Sequence, residues 1–113
     1  YQIVGIAYKV RDELGFGFLE KVYENALAIS LRENGLTAVQ QMPLNVMFHD
    51  QVVGVYCPDV MVEDRMILEI KSCDRIISAH KAQTLDYLKA TGMKLGIILN
   101  FAKQTVEFER LVL

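Results

Sequence analysis

Between residues 66 and 100 the chain reads strand, helix, strand, and that order restricts the fold more than any other feature. Residues 66–72 alternate as a strand, residues 76–90 carry a helix that stops at Thr91-Gly92, and residues 94–100 have a continuous apolar centre. A run of that kind marks a strand covered on both faces. A strand, a crossover helix and a second strand form a parallel pair with right-handed connection. The expected fold is therefore α/β, a mixed sheet flanked by helices.

The other segments extend this unit. Ile3, Ala7, Val10 and Leu14 line one face of a helix over residues 3–14. Gly15-Phe16-Gly17 interrupts it, and a second helix is expected over 18–34, striped by Leu19, Val22, Tyr23, Ala26, Leu27 and Ser30, with Gly35 as its stop. The period then changes to two. Residues 38–48 and 52–62 read as strands around a turn at His49-Asp50-Gln51, and 106–112 as a last strand. The expected order is α-α-β-β-β-α-β-β. A length of 113 residues, 52% of them hydrophobic, suits one domain spanning 1–113 with a real core.

The hairpin around residue 64 carries the chemistry. A three-residue loop at Glu63-Asp64-Arg65 pairs Val62 with Met66 and Val60 with Leu68, so that Val60, Val62, Met66, Leu68 and Ile70 share one face. A two-residue loop at Asp64-Arg65 would mix apolar and charged positions on one face, and such a slip is strongly disfavoured when a face is buried. The longer loop sets Asp59 opposite Glu69, with side-chain roots about 5 Å apart. Two carboxylates that close are tolerable when a cation or a shared proton separates them. Lys71, two residues after Glu69, points the same way. An Asp, a Glu and a Lys on one face suit metal-assisted phosphodiester hydrolysis: oxygen ligands for a hard cation such as Mg²⁺, and an ammonium group to orient water or offset developing charge. Taken alone, the same residues also describe a surface hairpin with a Glu–Lys pair.

Several motifs accompany this cluster in order. Residues 17–23 spell G-x-x-E-x-x-Y, Pro58-Asp59 is followed by Glu69-Ile70-Lys71, residues 83–87 spell Q-x-x-x-Y, and Leu95-Gly96-Ile97-Ile98-Leu99-Asn100-Phe101 follows. Together they make the chain resemble the GxxExxY protein family, within the PD-(D/E)XK nuclease superfamily and similar to RecB-type nuclease domains. Phe16 departs from that pattern, in which proline is usual between the two glycines. The resemblance implies a restriction-endonuclease-like core and a set of roles. Asp59 and Glu69 resemble the metal-binding acids and Lys71 the catalytic lysine. The Ile70 carbonyl is an expected further ligand, and Glu20 resembles the helix glutamate that completes the metal site, directly or through water. Gln83 and Tyr87 would lie beside the active site, and His80 on the same helix side would touch a phosphate or cap local packing. The implied cofactor is Mg²⁺ or Mn²⁺, and the implied partner is nucleic acid, DNA before RNA.

Charge and composition bound these readings. A net charge of −2 excludes a generally basic nucleic-acid coat protein. Residues 65–94 nevertheless hold six basic side chains (Arg65, Lys71, Arg75, Lys81, Lys89, Lys94) against three acidic ones, a local surplus that could follow a phosphate backbone. Cys57 and Cys73 fit neither a disulfide framework nor a zinc pattern and read as buried or half-buried thiols of a reducing, cytoplasmic compartment. The apolar run around Ile97-Ile98-Leu99 is too short to span a bilayer; the chain opens on Tyr1 without methionine, which suggests further residues upstream, and no signal peptide is expected within these residues. A mean hydropathy of +0.22 points to an apolar surface patch. One candidate is a homodimer contact on the last strand, at Phe108, Leu111 and Val112. A rival to the enzyme is a nuclease-like fold that only binds nucleic acid or protein.

Overall fold

The computed structural model describes residues 2–113. The elements are α1 (Gln2–Leu14), α2 (Glu20–Glu33), β1 (Ala38–Gln40), β2 (Leu44–Phe48), β3 (Gln51–Tyr56), β4 (Val60–Val62), β5 (Met66–Lys71), α3 (Ser78–Thr91), β6 (Leu95–Asn100) and β7 (Glu107–Val112). A five-stranded sheet runs in the order β1-β4-β5-β6-β7, and β2 and β3 form a separate two-stranded sheet. Only β5 and β6 are parallel, joined through α3, as the strand–helix–strand pattern requires.

The two long strands expected over 38–48 and 52–62 are each broken in two. Gln41 adopts a left-handed φ of 57°, and Pro43 and Pro58 lie in the two gaps between paired segments. Proline has no N–H for a ladder, so the two-stranded hairpin is interrupted at those points. The root of the hairpin (β1, β4) stays in the main sheet. Its outer half (β2, β3) swings onto α3, turning through a two-residue link in which His49 and Asp50 have φ of 47° and 61°.

Apolar groups cover both faces of the main sheet. On one face Ile3, Ile6, Ala7 and Val10 of α1 and Tyr23, Leu27 and Leu31 of α2 pack on Val60, Val62, Leu68, Ile70, Ile97 and Leu99. On the other, Leu88 of α3 and Tyr56 of β3 pack on Met61 and Ile67, with Leu85 and Tyr87 partly buried beside them. The expected hairpin register holds: Val62 pairs with Met66 and Val60 with Leu68. The stripe of α2 is shifted from the expected one. Leu19 is 81% exposed and precedes the helix, and the buried line is Tyr23, Leu27 and Leu31. Leu111, expected at a dimer contact, instead packs with the α3 cluster, whereas Phe108 and Val112 remain exposed on the edge strand β7. Cys57 is exposed rather than buried, and Cys73 is half-buried. No helix among the described residues is long and apolar enough to cross a membrane.

The seat of α3 depends on one small residue. A Cβ at Gly96 would lie 3.3 Å from side-chain carbons of Ile67 and Thr84 and 3.5 Å from one of Leu88. Replacing Gly96 with valine is expected to push α3 off the sheet and cost about 1–3 kcal/mol, the usual penalty for overpacking a core. Denaturant titration of Gly96→Val checks this, and a variant as stable as the parent would show that the helix has room to spare.

Candidate active site

Strand β5 is the spine of the site. Successive residues of a strand face opposite ways, so Ile70 enters the core under α1 and α2 while Glu69 and Lys71 face α3. Asp59 lies one residue before β4, just past the last ladder pair, Val60 with Leu68. Its Oδ2 accepts the Ile70 N–H at 2.7 Å. Its Oδ1 accepts the Gln41 side-chain amide at 3.3 Å, and its carbonyl accepts the Gln41 N–H at 3.2 Å.

Proline at position 58 has a direct consequence here. Continuing the register places Pro58 opposite Ile70. The N–H and C=O of one strand residue point to the same side. The Ile70 N–H is turned toward Asp59, so its carbonyl faces the same edge, where Pro58 has no N–H to offer. The neighbouring Lys71 carbonyl goes the other way and accepts the Phe101 N–H at 2.9 Å.

On the α3 face Glu69 accepts a hydrogen bond at Oε1 from the Tyr56 hydroxyl. The Tyr56 ring stacks on Tyr87 of α3 with centroids 3.8 Å apart and planes at 8°. Tyr56, Glu69, Lys71, Gln83, Thr84 and Tyr87 line a cavity of about 210 Å³. A larger cavity of about 540 Å³ opens at the opposite end of β5, between Met66 and Leu95, away from these carboxylates. The smaller cavity is the one that holds Glu69 and Lys71 together with Gln83 and Tyr87.

Glu20 is the first residue of α2 and is exposed; its Oε2 accepts the Ser72 N–H at 3.3 Å. The turn before it is well anchored. Gly15 and Gly17 have φ of 83° and 89°, the Tyr23 hydroxyl donates to the Gly15 carbonyl at 2.6 Å, and Tyr23 stacks on Phe101 at 4.8 Å. Arg11 lies 3.4 Å over the Phe16 ring and donates to the carbonyls of Phe101 and Lys103. The buried acid of α2 is Glu24, 3% exposed, which accepts from Lys21, Gln40 and Gln41. His80 caps its own helix. Its Nδ1 accepts the Ile77 N–H at 3.2 Å, and it does not line the cavity.

Burial and like charge work together on the acids. Desolvation pushes the Glu69 carboxyl from 4.5 up to about 7; the Tyr56 hydrogen bond and Lys71 pull against this, and the Asp59 charge adds to it. Asp59 is raised as well, by burial first and by the charges of Glu24 and Glu20, with the Ile70 N–H opposing. Burial and the Glu69 charge drive the Tyr56 phenol far up. Among the described residues no three His, Cys, Asp or Glu side chains are gathered as a metal-holding group. The three acids expected to converge are each held by neutral donors instead: Glu69 by Tyr56, Asp59 by Gln41 and a main-chain N–H, and Glu20 by Ser72.

Tyr56, Glu24, Gln41 and Asn100 were not among the expected site residues. Fully buried Asn100 donates to the Cys73 carbonyl at 2.8 Å and accepts the Cys73 N–H at 3.1 Å, which fixes the chain just beyond Lys71. Glu24 carried a legible signal, since it adjoins Tyr23 on the buried side of α2. Tyr56 gave none beyond its place three residues before Asp59.

Asp59, Glu69 and Lys71 thus lie near the end of the central parallel unit of a mixed sheet with helices on both faces. The chain belongs to the PD-(D/E)XK nuclease superfamily, whose family model matches residues 1–111. No curated protein matches the sequence. Among solved structures the chain is similar to an alkaline exonuclease from Laribacter hongkongensis, with 14% identity and a TM-score of 0.49 over 96% of this chain and 67% of the other.

The raised carboxyl makes stability depend on pH. A folded value of about 7 against an ordinary 4.5 means that the fold favours neutral Glu69. Its contribution is complete below 4.5 and is lost as pH rises through about 7. At pH 8 in chelator, Glu69→Gln is expected to be more stable than the parent, by at most about 3 kcal/mol. The gap should close toward pH 4.5, because both side chains are then neutral. Melting curves across that range check it. A variant that is less stable at pH 8 would show that ionised Glu69 is well accommodated.

Proposed function

We propose that this domain is a divalent-metal-dependent nuclease that hydrolyses the phosphodiester bonds of DNA, in preference to RNA, and that it belongs to the GxxExxY branch of its superfamily. The observation that carries this reading is the meeting of Asp59 and Glu69 across the end of the β4–β5 hairpin, with Lys71 lining the same cavity as Glu69. The donor set fits a hard cation. Two half-buried carboxylates repel each other, and the Ile70 carbonyl lacks a ladder donor from Pro58. Asp59, Glu69 and the Ile70 carbonyl, with Glu20 at the margin, would hold Mg²⁺ or Mn²⁺, which when bound supplies Lewis-acid polarisation of a phosphoryl oxygen.

The chain's own groups supply the rest. Lys71 orients the attacking water and offsets negative charge as it develops on the phosphoryl oxygens. Gln83 and Tyr87 support the lysine and the substrate strand from α3, since both line the cavity. The local basic surplus on residues 65–94 offers contacts for phosphates despite the net charge of −2. The free thiols suit a reducing, cytoplasmic setting. That net charge favours a second reading, a nuclease-like fold that binds a partner without cutting it.

Cleavage of supercoiled plasmid, single-stranded DNA and RNA with and without Mn²⁺ separates the two. The enzyme reading expects metal-dependent cleavage, strongest on DNA, that Glu69→Ala abolishes. It expects Lys71→Ala to lose roughly 10²–10³-fold in rate while keeping its melting curve. Calorimetric Mn²⁺ binding that Asp59→Asn removes, without cleavage of any substrate, would support the binding subunit instead.

A further inference from the structure

Tyr56 belongs to no motif of the sequence, yet its hydroxyl donates to Glu69 Oε1. Three observations fix its ring. It is 8% exposed, it stacks on Tyr87 with planes at 8°, and it packs in the cluster that holds Met61, Ile67 and Leu88. A ring clamped in this way presents its hydroxyl at one place, and Glu69 is the group at that place. The hydroxyl occupies Oε1, one of the two oxygens a cation could use.

We propose that Tyr56 is the positioning residue of Glu69: its hydroxyl, set by the stack on Tyr87, selects the side-chain orientation in which Glu69 serves the metal site. This rests on the reading of Glu69 as a metal ligand. The physical reason is general. A ligating carboxylate is flexible about its own torsions, and a hydrogen bond from a rigid partner removes the cost of ordering it at the moment of binding. It also assigns a task to the bend of the long hairpin. The break at Cys57-Pro58 lets β3 end over α3, which brings Tyr56 above the sheet face that Glu69 occupies.

Calorimetric titration with Mn²⁺ alone tests the idea on the parent, Tyr56→Phe and Tyr56→Leu. The phenylalanine variant keeps the ring and its stack and loses only the hydroxyl. It is expected to bind Mn²⁺ about 10- to 100-fold more weakly while retaining the parent's melting curve. If the ring merely fills space, the phenylalanine variant binds like the parent and only the leucine variant falls, which overturns the proposal and leaves the metal site intact. A parent that binds no Mn²⁺ overturns the nuclease reading together with this one. A second measurement needs no variant. In protein carrying carbon-labelled tyrosine, the ring-carbon resonance next to the Tyr56 hydroxyl should move with Mg²⁺ saturation, and a resonance that stays in place while metal binds overturns the proposal.

Discussion

The hydrogen bond from the Ile70 N–H to Asp59 Oδ2 ties the hairpin to the centre of the sheet. Where β4 ends, a side-chain oxygen takes over from a main-chain carbonyl, and the strand edge continues as a polar site. That substitution depends on Pro58. A residue with an N–H at that position could offer a ladder donor to the Ile70 carbonyl, which proline cannot. One imino acid thus ends the strand, frees a carbonyl and leaves a carboxylate to receive an amide.

The site is built against its own electrostatics. Glu69 and Asp59 are both raised by burial, and each feels the other's charge or those of Glu20 and Glu24. An arrangement of this kind lowers the stability of the fold at neutral pH. The cost is tolerable because the groups around it are rigid and satisfied. Apolar side chains fill both faces of the sheet, and no buried side-chain nitrogen or oxygen among the described residues lacks a hydrogen-bond partner. Stability taken from the two cores offsets the strain of the edge, as is usual where a fold carries a reactive site.

Much of this was legible in the sequence, for identifiable reasons. The β5–α3–β6 unit follows from an apolar strand, a crossover helix and the handedness of chains. The register of Val60 with Leu68 follows from period-two alternation, because a slip by one residue would turn Glu69 and Lys71 into the apolar core under α1 and α2. The breaks at Gln41 to Pro43 and at Cys57 to Pro58 were less visible. Alternation runs on across them, and only the prolines and a left-handed φ record that the chain leaves the sheet. His80 shows the limit of residue type. The spacing on α3 places it near Gln83, but the unsatisfied N–H of the helix start captures its ring.

The bend of that hairpin links these observations. Had residues 38–48 and 52–62 stayed continuous, Tyr56 would extend β4 within the main sheet and could not stack on Tyr87. Because the outer half folds onto α3, one tyrosine joins three elements: it ends β3, it stacks on α3, and it hydrogen-bonds to a glutamate of β5. The same movement closes one wall of the cavity that Lys71 and Gln83 line. A rigid wall matters more for a charged pair than for an apolar one, since the gain from an oriented donor grows as water is excluded. The irregularity that sequence periodicity conceals is therefore the feature that walls the cavity beside Glu69 and Lys71.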